Sequence, residues 1–63
     1  MKVREVLKRL QDEGWDLVRQ EGSHRQFKNK DKPGRRVTVA GKPSAEIPEG
    51  TRKSIFRQAG WED

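Results

Sequence analysis

Apolar side chains near the start of the chain fall at Val3, Val6, Leu7 and Leu10, the i, i+3, i+4, i+7 spacing of one helical stripe. Lys2, Arg4, Glu5, Lys8, Arg9 and Asp12 fill the positions between. The spacing therefore predicts an amphipathic helix over 2–13, with Gly14 as its left-handed cap. Over 15–20 a strand is expected, Trp15 and Leu17 on one face, and Glu21-Gly22-Ser23 is turn chemistry. A second strand is expected over 24–28, with Phe27 toward a core and His24, Gln26 and Lys28 on the opposite face. The polar run from Asn29 ends in the turn pair Pro33-Gly34. A third strand over 35–40 turns Val37 and Val39 inward. Residues 41–48 carry two prolines and read as a connecting loop with Ile47 tucked onto the core. A second helix over 50–59 buries Ile55, Phe56 and Ala59, stops at Gly60, and lets Trp61 fold back onto the core.

That order predicts an α+β fold, α-β-β-β-α, with a three-stranded antiparallel sheet and both helices on one of its faces. The chain has 63 residues, a length for one domain spanning 1–63. A core this small does not enclose a large organic cofactor, and none is expected. Charged residues make up 40% and hydrophobic ones 29%, a balance that leans toward disorder; the periodic apolar clusters argue for a fold instead. With no cysteine there is neither a disulfide framework nor a thiolate metal site, and a reducing cytoplasm is the compartment expected. Met1-Lys2-Val3-Arg4-Glu5 leads into no apolar signal segment, and no apolar run approaches the roughly 20 residues of a membrane span, so no membrane association is expected.

Charge is unevenly distributed. From Arg19 to Arg36 there are seven basic residues (Arg19, Arg25, Lys28, Lys30, Lys32, Arg35, Arg36) against two acids, while the remainder holds eight of each. The net charge of +5 thus belongs to the middle segment, and a local positive field attracts polyanions, nucleic acid first. There is no P-loop, no HExxH, no GxSxG and no histidine pair spaced for a metal. The acids show no convergent pattern, which leaves His24, the only histidine.

A histidine titrates near neutrality and can take or give a proton at working pH. Gly22 before it leaves room for a nucleic-acid backbone, and the cations around it are suited to phosphates. RNA supplies its own nucleophile, the 2′-hydroxyl, so one imidazole acting as base beside cations can cleave RNA without a metal. Arg25, Lys28, Arg35 and Arg36 are the candidate phosphate-binding groups, with Gly22 and Ser23 beside them. The leaving 5′-oxygen would take its proton from water or from a basic side chain such as Lys28. The bland alternative is a non-catalytic RNA-binding module of the same fold, with His24 one more polar contact. Gly50-Thr51 is read as ordinary helix initiation, Arg52, Lys53 and Arg57 as a solvated helix face, and Trp15 and Trp61 as core and rim.

A helix ending in Gly14-Trp15, Gly22-Ser23-His24 followed by Phe27-Lys28, Val37-Thr38-Val39, Gly50-Thr51, Ile55 and Gln58-Ala59-Gly60 occur here in this order. In this combination and at this length the chain resembles the HicA toxins, the mRNA interferases of HicA–HicB toxin–antitoxin systems. The resemblance implies a fold like that of double-stranded-RNA-binding domains and ribosome-independent cleavage of mRNA, with the family's catalytic histidine at His24. It also implies a HicB-like antitoxin that covers the active face. Residues 42–46 lie in a connection that carries no family role across.

Overall fold

The computed structural model describes residues 1–61 and shows α1 (Val3–Asp12), β1 (Trp15–Glu21), β2 (His24–Asn29), β3 (Arg36–Val39) and α2 (Glu49–Ala59). The three strands form one antiparallel sheet in the order β1-β2-β3. Val3, Val6 and Leu10 of α1 and Ile55, Phe56 and Ala59 of α2 are buried together with Phe27, Val37 and Val39 from the sheet. One core therefore lies on one side of the sheet. The α+β architecture expected from the periodicity is the one observed, with element ends shifted by at most one residue.

The N-terminus of α1 and the C-terminus of α2 both find hydrogen-bond partners. The main-chain N–H of Lys2 donates to Glu5 Oε1 (2.8 Å), and those of Val3 and Arg4 donate to the carbonyls of Ala45 and Pro43 (3.0 Å each). The connection before α2 thus supplies acceptors for donors that the first helical turn leaves free. Ile47, 8% exposed, packs into the core as expected. At the other end of the chain Gly60 adopts a left-handed φ of 78°. The N–H groups of Trp61 and Gly60 then reach the carbonyls of Phe56 (2.8 Å) and Arg57 (3.2 Å), a Schellman closure.

That closure turns Trp61 back. Its ring meets Phe56 edge-on at 5.1 Å, its indole N–H donates to Glu13 Oε1 (2.8 Å), and the Arg9 guanidinium lies 4.2 Å above it. The indole hydrogen bond, joined by the bond and charge of Arg9, holds the Glu13 carboxyl below its ordinary range.

β1 carries the one irregularity in the sheet. Trp15, Asp16 and Leu17 pair with Asn29, Lys28 and Phe27, whereas Arg19, Gln20 and Glu21 pair with Gln26, Arg25 and His24. Val18 is the extra residue, a β-bulge. Leu17 shares the core side with Trp15 as expected, but it is half exposed because the helix layer covers β1 only at Trp15.

Candidate functional site

Glu21 and His24 pair directly across the two-residue turn Gly22-Ser23. Gly22 has φ 58° and among the described residues no non-glycine has positive φ, so glycine occupies the first central position, as in a type II′ turn. The turn fixes the alternation of β2. Phe27 and Asn29 point to the helix side, and His24, Gln26 and Lys28 to the other. His24 is exposed, and among the described residues no group hydrogen-bonds to its imidazole.

The side of the sheet away from the helices is organised in cross-strand rows. Asp16, Lys28 and Arg36 form one row, Arg19, Gln26 and Thr38 the next, and Glu21 with His24 the last. Arg19, Glu21, His24 and Gln26 line a shallow open cleft of about 240 Å³. A larger concavity of about 430 Å³ lies at the other end of the sheet, between Lys28 and Arg36 and the 32–35 loop.

The cations predicted from the sequence divide into two groups. Lys28 and Arg36 stand opposite each other on the open face, exposed and without an ion-pair partner among the described residues. Arg25 instead lies half-buried on the helix side, where its Nη1 donates to the carbonyls of Gly41 (3.0 Å) and Ser23 (3.3 Å). Arg35 donates to the last carbonyls of α2, Arg57 (3.2 Å) and Gln58 (3.3 Å), and Lys32 Nζ to that of Ala59 (3.2 Å). These two loop cations sit at the negative end of the helix dipole. Gly22 and Ser23 form the exposed rim beside His24, their carbonyls accepting from Gln20 Nε2 (3.1 Å) and Arg25 Nη1 (3.3 Å).

Two residues of the cleft were not singled out from the sequence: Arg19 and Glu21, which form an ion pair with each other. Pairing outward from a two-residue turn would have found both, because it sets Glu21 against His24 and Arg19 against Gln26. Among the described residues no three His, Cys, Asp or Glu side chains are grouped as a metal ligand set. Nor is any helix among them long and apolar enough to cross a membrane.

Residues 3–61 match the family model described as HicA toxin of bacterial toxin-antitoxin. No curated protein matches the chain.

Proposed function

The chain belongs to the HicA family of toxins from bacterial toxin–antitoxin systems, and on that basis we propose that it is an endoribonuclease that cleaves mRNA without a metal, with His24 as general base. The observation that supports this reading most directly is the position of the imidazole. It is exposed on the sheet face away from the helices, beside a glycine turn, with Lys28 and Arg36 further along the same face. Those two side chains hold phosphates on the open face. Arg25 and Arg35, already bound to main-chain carbonyls, contribute positive potential from behind it. Gly22 and Ser23 let the ribose-phosphate backbone approach the imidazole.

In the reaction His24 takes the proton of a 2′-hydroxyl, and the 2′-oxygen bonds to the adjacent phosphorus. The bond from phosphorus to the 5′-oxygen breaks, that oxygen takes a proton from water, and the hydroxide left behind takes the proton held on His24. The products are a 2′,3′-cyclic phosphate and a 5′-hydroxyl. DNA, lacking the nucleophile, is not cut. A HicB-like antitoxin is the expected protein partner, and covering the open face is how it would silence the toxin.

Cleavage of single-stranded RNA by purified protein in the presence of a chelator tests this. The parent should cut, and His24→Ala should lose about 10²-fold or more in rate, the scale of general-base help. The rate should rise with pH as the base loses its proton; a rate that climbs as pH falls would make His24 an acid. Equal cutting by His24→Ala rejects the general-base mechanism. If neither protein cuts but both bind RNA with a steep salt dependence, the chain is a binding module.

A further inference from the structure

A single imidazole on an open sheet has two weaknesses as a base. Nothing fixes which ring nitrogen carries the proton, and nothing stabilises the imidazolium once it forms. The row that contains His24 contains one other side chain, Glu21, and the neighbouring row brings Arg19 to the same cleft. Directly opposed residues on one face of an antiparallel pair have Cβ atoms about 4.5–5.5 Å apart, within reach of a Glu carboxylate and an imidazole. In the structure Glu21 is turned to Arg19 instead, and the two form an ion pair.

That pair is of a kind that exchanges readily. Its side chains are 65% and 67% exposed, and ion pairs so placed contribute little, because water screens them. A backbone phosphate matches a guanidinium as a carboxylate does: its two non-bridging oxygens share one negative charge and accept two parallel N–H bonds. A backbone phosphate entering the cleft beside His24 therefore competes with Glu21 for Arg19. Each gain of Arg19 by the phosphate releases Glu21 next to the imidazole.

We propose that Arg19 and Glu21 complete the site: Arg19 takes the reacting phosphate, and Glu21, released by that exchange, positions the His24 imidazole. One ring N–H donates to the Glu21 carboxylate, which leaves the other nitrogen free to accept the 2′-hydroxyl proton. The same carboxylate then faces the imidazolium. In the resting protein the ion pair holds Glu21 away from the imidazole. Glu21 is a positioning residue; Arg19 is a phosphate-binding one. This rests on the proposed nuclease reading and adds to it the two groups from β1.

The experiment compares the parent, Glu21→Gln, Arg19→Ala, Arg19→Lys and His24→Ala in metal-free RNA cleavage, measuring kcat and KM across pH and salt. The charged groups on the imidazole's side of the sheet are Arg19, Glu21 and Asp16 from β1, Lys28 along β2 and Arg36 on β3. Only the first two change in the informative variants. Both lie exposed, so the variants fold. Glu21→Gln should lower kcat about 10-fold, the low end of what is lost when a group orienting a metal-bound imidazole is removed. Its KM should stay near that of the parent, and the acidic limb of its rate profile should move to lower pH. Arg19→Ala should act mainly on KM and flatten the salt dependence, with partial rescue in Arg19→Lys. A second readout does not need turnover. With an uncleavable 2′-deoxy oligonucleotide bound, ¹⁵N shifts of the imidazole should report one dominant tautomer in the parent and a mixture in Glu21→Gln.

If the parent cuts in a His24-dependent way while Glu21→Gln matches it in kcat, pH limb and tautomer, this proposal is wrong and the nuclease reading stands. If the parent does not cut, or His24→Ala cuts equally well, the general-base mechanism fails and this proposal with it.

Discussion

Gly22 and Ser23 reverse the chain so tightly that the residues on either side of them, Glu21 and His24, become cross-strand partners. At the scale of single residues this decides which charges meet RNA. Lys28 and Arg36 reach into solvent on the same face as His24, whereas Arg25 reaches back to the carbonyl of Gly41. Replacing each type should therefore give a different signature. Lys28→Ala and Arg36→Ala should each reduce the slope of log affinity against log salt by about 0.7, one single-strand phosphate contact, with little effect on melting. Arg25→Ala should leave that slope nearly unchanged and destabilise the fold by about 1 kcal/mol through the lost hydrogen bond. Equilibrium binding at several salt concentrations, with a melting curve for each variant, separates the two. The face of each β2 residue was readable from alternation, but the engagement of each cation was not. An arginine's reach is long enough that its partner depends on which backbone happens to end nearby.

Secondary-structure elements here are set by a few devices, and the bulge in β1 has the widest consequence. Strict alternation back from Glu21 would turn Trp15 and Leu17 to the open face and bring Asp16 inward. The extra residue Val18 reverses that and puts Trp15, 4% exposed, into the core. Deleting Val18 should thus abolish cooperative folding, because it flips every earlier side chain of the strand. Val18→Lys at the same exposed position should change stability by no more than about 0.5 kcal/mol. Thermal unfolding followed by circular dichroism tests both. Gly60 is the second such device. It holds a left-handed conformation in which a Cβ would meet the Arg35 guanidinium and Lys32 Nζ, both at ordinary contact distance. The cost of Gly60→Ala is consequently conformational, about 1 kcal/mol, or a fall in Tm of about 4–8 °C for a domain of this size. Gly60 and Trp61 were legible together, since a glycine followed by an aromatic is what a Schellman end requires. The bulge was not, because nothing local distinguishes Val18 from its neighbours.

Across the whole molecule, the two helices are joined at their C-terminal ends by Trp61, Glu13 and Arg9. Asn29 adds a link from the sheet by donating to the Glu13 carbonyl (3.2 Å). The Glu13 carboxyl is held below its ordinary range, chiefly by the Trp61 indole and then by Arg9. A lowered value means that folding favours the ionised form. Its contribution is present in full above the ordinary glutamate value of about 4.3 and is lost as pH falls through the lowered folded value. Melting temperature should therefore fall with acid in that window, and Glu13→Gln should remove part of the slope while melting lower than the parent at pH 7. A small domain has little stability to spare. Leu10→Ala, which empties a fully buried position, should cost about 2–5 kcal/mol and leave much of the protein unfolded at 37 °C.

Sequence by itself determined the element order, the core-facing side of β2 and β3, the two helix stops and the return of Trp61. All of these follow from short-range rules: periods of 3.6 and 2, and glycines where the chain needs positive φ. It also determined that His24 and Lys28 share the open face. Tertiary structure alone decided the rest. The bulge at Val18 arises because a two-residue turn and a buried Trp15 demand opposite registers of one strand, and an extra residue reconciles them. The basic segment separates into cations on the open face and cations tied to carbonyls because the end of α2 and the 40–47 connection come within reach of Arg35, Lys32 and Arg25. Charge is written in the chain, but whether a charge is available to a ligand depends on the neighbours that folding brings to it.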